Sequence, residues 1–414
     1  MGLGIYSWHL RFFTNIFSWA ALILWLILAF WIGLFMMLAS HYQRRRPIPF
    51  QCFLLTAAWM ALEYFRGELY FLKFTWATPG LAFTNLPGMS SLGMLGVYGM
   101  GGLCLFLAAT SLFFPRKAQV IWVIFLTFLL GGFVHWKVPT ISEPTSHRGQ
   151  IQVGGLHLEN PGSSWGLEKL DQFMGKHPDT DLLLLAEYSF FGPPPAALLH
   201  WCQSNQVYMI IGGTRPLEND SYYNTAFVIS PEGKVVFEQA KSVPIQFFRD
   251  GLPAPHQKVW QSPWGPMGIC ICYDLSYTRV TDELIKQGAE MILVPTLDEL
   301  HWGESQHRLH ARIAPMRAAE YGVPILRVGA CGISQAVRDD GSVQANTEFP
   351  GEHATISALI SPSQESRIPW DRYLVWVCFA VTGIDLIKHL VKRKQKEKSQ
   401  GKGQFSESYR ADSR

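Results

Sequence analysis

A chain of 414 residues with 35 Lys and Arg, 32 Asp and Glu and a formal net charge of +3 is long for one domain and lacks the basic excess that nucleic acid demands, so that partner class is excluded. Nearly half of the residues are hydrophobic (48%), with 15 Trp and 27 Phe, yet the mean hydropathy is only +0.10; strongly apolar segments diluted by a polar domain explain both values. The seven cysteines, Cys52, Cys104, Cys202, Cys270, Cys272, Cys331 and Cys378, are odd in number and contain no C-x-x-C pair, which argues against a disulfide framework and gives no zinc pattern.

The first elements have the pattern of membrane spans. Ile16 to Ser40 is an uninterrupted apolar run of about 25 residues, enough to cross a bilayer and too long for a signal peptide, although Leu38-Ala-Ser40 could pass for a cleavage site. It ends in His41-Tyr-Gln-Arg-Arg-Arg46, a cluster expected on the cytoplasmic side. Phe50 to Tyr64 is a second apolar segment that carries Glu63, with Arg66 three residues on. Ionisable groups at membrane depth are functional candidates, and this spacing also suits a helix-end ion pair. Trp76, in Phe74-Thr-Trp76, reads by itself as an interfacial anchor. Leu81 to Ser91 contains Pro87-Gly88 and is expected as a loop or re-entrant piece on the outer side. Leu92 to Phe114 is the third span, with Gly96, Gly99, Gly101 and Gly102 allowing close helix packing. Pro115-Arg-Lys117 is a basic turn, and Val120 to Trp136 is the fourth span.

From His147 to Pro362 the pattern changes. Strand-length apolar runs (Ile151 to Leu158, Val207 to Gly212, Thr225 to Ile229, Met291 to Pro295) alternate with amphipathic stretches (Leu167 to Met174, Gln306 to Tyr321), which predicts an α/β layered domain. Three polar residues end strand-like runs inside it. Leu182-Leu-Leu-Leu-Ala-Glu187 ends in a carboxylate, and Glu232-Gly-Lys-Val-Val-Phe-Glu-Gln-Ala-Lys241 ends in an amine. Gly268-Ile-Cys-Ile-Cys-Tyr-Asp274 places Cys272 where a strand hands over to a helix expected from Leu275 to Ala289. A helix N-terminus favours a thiolate, and its N–H groups can receive an oxyanion. Each residue alone has an ordinary reading: a small core hydrophobe for the thiol, a sheet-edge salt bridge for the other two. Cys270 is read as a core neighbour. His307 and His310 lack a matching carboxylate spacing, so they read as neutral hydrogen-bonding residues, and no metal is expected.

Trp370 to Leu390, interrupted by Asp385, is the last span. The lysine-, serine- and glycine-rich tail after it, residues 393–414, is expected to be disordered and cytoplasmic. With the basic clusters inside, five spans place the N-terminus, the Trp76 loop and the α/β domain outside.

The order Glu187, Lys241, Cys272 with the string I-C-Y-D resembles the nitrilase, or carbon–nitrogen hydrolase, superfamily. Tyr223-Asn224, Asp298 ahead of Trp302-Gly303, Gln306-His307, Arg317-Ala-Ala-Glu320, Arg327 and Gly332-Ile-Ser334 agree with it. Trp59-x3-Glu63-x2-Arg66-Gly67 followed by Phe74-Thr-Trp76 resembles the signature of its membrane-bound branch, the apolipoprotein N-acyltransferases. The resemblance implies a four-layer αββα sandwich inserted between transmembrane helices. Residues 1–145 would form the N-terminal membrane domain of about four helices, residues 146–365 the catalytic domain, residues 366–392 a C-terminal transmembrane helix and residues 393–414 the tail.

The same resemblance implies that Glu187 is the general base, Cys272 the nucleophile and Lys241 the oxyanion partner, with a backbone N–H near Tyr273. Tyr273, Asn224, Trp76, Glu63, Arg66, Asp298 and Trp302 would support the site or bind substrate. No cofactor is implied. The implied reaction moves an acyl chain from a phospholipid through a Cys272 thioester to the α-amine of a lipoprotein's N-terminal diacylglyceryl-cysteine. The enzyme would be a multi-pass, monomeric protein of the inner membrane with its catalytic domain on the periplasmic or extracellular side. The Trp59 to Trp76 region and Phe247-Phe248 are the expected route for lipid tails. Three departures stand out. Lys241 is followed by Ser-Val-Pro-Ile-Gln-Phe-Phe-Arg-Asp250 where the family has H-L-V-P-F-G-E, so Gln246 or Asp250 would have to replace its glutamate. C-Y-D stands for C-Y-E, and Ala186 for a proline. Two further readings therefore stay open: a membrane-tethered nitrilase-type amidase or other acyltransferase, and a catalytically inactive lipoprotein-binding membrane protein.

Overall fold

The structure, a computed structural model, describes residues 1–43, 47–84, 89, 91–135, 149–158, 161–351 and 354–411. Arg44 to Arg46, Pro87-Gly88, Trp136 and His147, named above, lie outside the described residues. The N-terminal part is helical: α1 (Gly2–His9), α2 (Phe13–Phe17), α3 (Ala21–Gln43), α4 (Ile48–Tyr64), α5 (Leu92–Ala109) and α6 (Arg116–His135). Among the described residues, four segments are long and apolar enough to cross a membrane: Phe13–Tyr42, Ile48–Leu69, Leu92–Phe113 and Asp371–Lys392. These match four of the five expected spans, and the described part of the remaining one, Val120 to His135, falls on α6.

The remainder alternates strand and helix. It runs β1 (Ile151–Leu156), α7 (Ser164–Lys176), β2 (Leu182–Leu185), α8 (Ala196–Asn205), β3 (Tyr208–Pro216), β4 (Tyr222–Ile229), β5 (Val235–Ala240), β6 (Val259–Ser262) and β7 (Gly265–Ile269). Then follow α9 (Thr278–Lys286), β8 (Met291–Leu297), α10 (Glu304–Ala311), α11 (Ile313–Tyr321), β9 (Ile325–Ala330), β10 (Gln335–Val337), β11 (Val343–Asn346), β12 (Thr355–Ile360) and α12 (Asp371–Ala411). Two six-stranded sheets result, ordered β12-β1-β2-β3-β4-β5 and β11-β10-β9-β8-β7-β6. Strand periodicity shows how they stack. Leu182 and Leu184 of β2 enter one core with Ile269, Ile292 and Val328 of the opposite sheet. Leu183 and Leu185 point the other way, onto Leu170 and Phe173 of α7 and Leu198 and Trp201 of α8. Every β2 residue is thus buried on one face or the other, as an all-leucine central strand requires. Val280 and Leu284 of α9, with Ala314 and Ala318 of α11, belong to the core of the second sheet, which completes the αββα sandwich. Helix α12 runs on from the last span to Ala411. Its Lys, Arg, Gln and Glu are good helix formers, and the preceding span has already nucleated the helix.

Buried charge joins the helix bundle to the sandwich. Helix α5 breaks at Gly96, where φ is 71° and ψ 170°, and the break leaves backbone N–H groups without helical acceptors. Two carboxylates take them: Val97 N–H donates to Glu320 at 2.9 Å and Tyr98 N–H to Asp371 at 3.0 Å. Arg317 pairs with the other Glu320 oxygen, while Arg372 reaches Glu320 at 3.0 Å, Asp371 at 2.6 Å and Asp282 at 3.1 Å. A further carboxylate of the bundle, Glu68 in the π turn Phe65–Leu69, accepts from the Tyr98 hydroxyl and from the N–H of Thr278, the first residue of α9, both at 3.0 Å. Interlocking charges of this kind are costly to break, because each partner left behind is a buried charge.

Gly96→Ala tests this junction. A Cβ there would lie 2.1 Å from the Asp371 carboxylate, and the left-handed φ alone costs an L residue about 1–2 kcal/mol. The thermal unfolding midpoint in detergent should fall by several degrees, whereas Gly99→Ala, whose Cβ would meet Asp371 at 3.4 Å, should change it little.

Candidate active site

Apolar strands deliver three ionisable groups to neighbouring strand ends. Glu187 lies two residues beyond β2, Lys241 directly follows β5, and Cys272 lies three residues beyond β7. All three side chains are buried, Lys241 completely. Its ammonium sits between two carboxylates, 2.8 Å from Glu187 and 2.7 Å from Asp250. Asn224 on β4 donates to both acids, at 2.6 Å and 2.9 Å. The Tyr188 hydroxyl and the Ile245 N–H complete Asp250, at 2.9 Å and 2.8 Å. Of the two residues weighed as replacements for the family's glutamate, Asp250 is the one that reaches Lys241, and Gln246 instead lines a cavity. Gly212 of β3 leaves room for the acid, since a Cβ there would come within 2.6 Å of the Glu187 Cα.

The turn that carries Cys272 differs from expectation. Strand β7 stops at Ile269, and the helix expected from Leu275 starts only at Thr278; Cys272–Ser276 is a separate 3-10 turn. Two side chains hold it. Asp274 accepts the N–H groups of Ile271, Ser242 and Val243, at 3.1, 3.0 and 2.7 Å, tying the turn to the loop after Lys241. Arg317 donates to the carbonyls of Leu275 and Ser276 at 3.0 and 2.7 Å, so these two do not enter a helix ladder. Cys272 itself takes a left-handed φ of 52°, a strained choice for a non-glycine that recurs at functional sites. Its sulfur lies 3.6 Å from the Leu297 carbonyl, and the N–H of the same residue holds the second Glu187 oxygen at 2.8 Å. Acid and thiol thus converge on the end of β8.

Electrostatics define the resting state. Burial pushes the Cys272 thiol well above its ordinary range, the Glu187 charge adds to this, and Lys241 opposes it. Burial likewise raises Glu187, against Lys241 and with the help of Asp250. For Lys241 burial disfavours the ammonium, but Glu187, Cys272 and Asp250 outweigh it and hold the pKa well above the usual lysine value. Asp274 is pushed up to about 6, by burial first, against Lys241 and its three N–H donors. The thiol therefore rests protonated, beside a carboxylate of raised basicity and a fixed positive charge.

The remaining predicted residues divide into two groups. Asp298 is paired with Arg327 at 2.6 Å and with His310 at 2.8 Å and accepts from Gln306 at 2.9 Å. Burial opposes its charge, but His310 and Arg327 prevail and keep it well below the usual carboxylate range. Trp76 stacks on His310 with centroids 4.7 Å apart, donates to the Ser276 hydroxyl at 2.8 Å and has its ring 5.8 Å from that of Tyr273. Trp302 is buried and packs on Phe248 at 5.9 Å. Glu63 and Arg66 are not part of this cluster; they line a separate cavity. His307 contacts the Gly303 carbonyl at 2.9 Å, and among the described residues no group of His, Cys, Asp and Glu is arranged to hold a metal ion. An apolar cavity of about 110 Å³ reaches Tyr273, next to the nucleophile, between Phe13, Phe17 and Leu28 of the bundle and Phe247 and Phe248. The bracing roles of Asp274 and Arg317 were missed in the sequence, where the only signals were C-Y-D and R-A-A-E.

The chain matches the model of the carbon–nitrogen hydrolase family over residues 180–367 and that of the apolipoprotein N-acyltransferase N-terminal domain over residues 1–110. It is 24% identical to the apolipoprotein N-acyltransferase of Ralstonia nicotianae over 329 residues, covering 70% of this chain and 62% of that one. With the apolipoprotein N-acyltransferase of Geobacter metallireducens the identity is 22% over an alignment of 452 residues, covering 90% of this chain and 85% of the relative. Nitrilase 2 of Arabidopsis thaliana is 30% identical over 115 residues, 26% of this chain and 32% of its own. A solved carbon–nitrogen hydrolase from Helicobacter pylori aligns with a TM-score of 0.46 at 19% identity, over 59% of this chain and 99% of that one. The two family models, side by side along the chain, and the two acyltransferase relatives establish that the protein belongs to the apolipoprotein N-acyltransferase family of the nitrilase superfamily.

Proposed function

We propose that the protein is a membrane N-acyltransferase that takes an acyl chain from a phospholipid onto Cys272 and passes it to the α-amine of a lipoprotein's N-terminal diacylglyceryl-cysteine. The observation that carries this reading is a buried thiol beside a carboxylate–ammonium pair, next to an apolar cavity walled largely by the helix bundle. In the first step Glu187 takes the Cys272 proton as sulfur attacks the ester carbonyl. The C–O bond breaks, and Glu187 returns the proton to the departing lysophospholipid oxygen. In the second step the acceptor enters as a free amine, its nitrogen attacks the thioester, and Glu187 carries the proton released to the leaving Cys272 sulfur. Lys241 faces the negative charge of both tetrahedral intermediates. Asp250 has a distinct part: with two carboxylates on one ammonium, Glu187 can gain and lose a proton while Lys241 stays neutralised and in place.

We place the protein in the inner membrane as a monomer, with the sandwich on the periplasmic or extracellular side. His41 at the end of α3 lies 4.1 Å from His389 of α12. Lys388 and Lys392 of α12 line a cavity with these two histidines, and a basic cluster flanking the spans suits the cytoplasmic side.

Membranes containing the protein, given phospholipid and a diacylglyceryl-lipoprotein, should add one amide-linked acyl chain to the lipoprotein N-terminus by mass spectrometry, and Cys272→Ala should abolish it. Release of free fatty acid with no change in the lipoprotein would instead identify an amidase-like enzyme that uses water. The pH dependence follows from the shifted acid. Below the Glu187 pKa the protonated carboxyl cannot accept the thiol proton, so Cys272 alkylation should slow as pH falls, with a midpoint above the normal carboxylate range. In Glu187→Gln that limb should vanish and alkylation should require alkaline pH. Asp250→Asn removes one of the charges that raise Glu187; the limb should move to lower pH, with a turnover loss of about tenfold from the weaker base.

A further inference from the structure

Glu63 and Arg66 line a second cavity, of about 340 Å³, which shares Trp76 as a wall with the apolar cavity beside Cys272. Its other walls include Tyr6 of α1, Trp31 of α3 and Trp59 of α4, with Thr78 from the following segment; the exposed His9 and Arg312 form part of its rim. What sets it apart is the unused hydrogen-bonding capacity inside. Neither buried Glu63 oxygen has a well-formed hydrogen bond: the Trp59 indole is turned toward the carboxylate without reaching good geometry, and the indole nitrogen of Trp31 and the Thr78 hydroxyl are buried with no partner. Glu63 is only 3% exposed. Arg66 leaves it unsatisfied, since its guanidinium stands 4.0 Å from the carboxylate and donates instead to the Phe74 carbonyl at 3.0 Å. A buried carboxylate this poorly satisfied is among the costliest groups a fold can hold, and selection tolerates it where a ligand completes it.

The surroundings specify the ligand. A carboxylate walled by three indoles and a phenol suits an ammonium, whose N–H groups the acid accepts and whose charge aromatic rings attract. Unused donors on Trp31 and Thr78 call for acceptor oxygens on the same molecule. The positive groups facing the cavity, Arg66 within and Arg312 at the rim, disfavour a bare cation and favour an ammonium that carries oxygen acceptors or a negative group. We infer that this cavity binds the primary ammonium of an amphiphile against Glu63, within the Tyr6, Trp31, Trp59 and Trp76 walls. The inference rests on the proposed transferase reaction for its two sources of such a group: the headgroup of an ethanolamine phospholipid, and the free N-terminus of the lipoprotein acceptor.

Binding is measured on the full chain carrying Cys272→Ala, which blocks turnover, in detergent by native mass spectrometry. Phosphatidylethanolamine is compared with phosphatidylglycerol, and a diacylglyceryl-cysteine lipopeptide with its N-acetylated form. At least one ammonium-bearing ligand should bind tenfold or more tightly than its amine-free counterpart, and Glu63→Gln should remove that difference. A preference in the lipid pair assigns the site to the donor, and one in the lipopeptide pair to the acceptor. Glu63→Asp keeps the charge and guards against a misfolded Glu63→Gln; it should retain a reduced preference. No preference in either pair, or one that survives in Glu63→Gln, overturns the inference. Because no turnover is involved, amine-selective binding by a protein that transfers no acyl chain would defeat the transferase reading alone, and transfer without such selectivity would defeat the ammonium site alone.

Discussion

One fully buried ammonium, Lys241, held between the carboxylates of Glu187 and Asp250, is the interaction on which the rest of the site depends. Neither acid could be removed cheaply, since stripping a partner from a buried ion pair costs about 3–5 kcal/mol. The cluster fixes both ends of the segment from Lys241 to Asp250, and with them the Ser242 and Val243 N–H groups. Those amides hold Asp274, and Asp274 in turn accepts the Ile271 N–H and shapes the turn that carries Cys272. A chain of contacts thus runs from the buried charge to Cys272, which sits in a strained backbone conformation. The charge that would stabilise an oxyanion and the geometry that presents the sulfur have one physical origin.

The second constraint comes from the helices. Arg317 holds the nucleophile turn by its Leu275 and Ser276 carbonyls while pairing with Glu320, and Glu320 caps the break in α5. The turn is therefore braced from the soluble side by Asp274 and from the bundle side by Arg317. This explains why the bundle is more than an anchor. It contributes Phe13, Phe17 and Leu28 to the apolar cavity and Trp76 to the wall beside Tyr273.

Much of this was legible in the sequence where a single period or a single strand end decides the outcome. The all-leucine β2 announces a strand buried on both faces, and Glu187, Lys241 and Cys272 each follow a strand closely enough to be placed by counting. Asp250 could be narrowed only to a choice with Gln246, because loop residues nine and five positions beyond Lys241 have no periodicity, and the fold of the loop selects between them. The helix start at Leu275 was misjudged for a related reason. Its apolar spacing is helical, but its carbonyls are claimed by Arg317, more than forty positions away in sequence. Glu63 and Arg66 were recognised as unusual at membrane depth; that they face a cavity apart from the thiol could not be seen without the packing of α1, α3 and α4.

The most direct test of covalent acyl transfer through this site looks at the protein itself. Intact-mass analysis after brief exposure to a phospholipid with an isotopically labelled acyl chain, with no acceptor present, should show one acyl adduct that maps to Cys272 and is cleaved by hydroxylamine, as a thioester must be. The absence of any adduct from folded protein, or an adduct that maps elsewhere and persists in Cys272→Ala, would contradict the role assigned to the Glu187, Lys241 and Cys272 cluster.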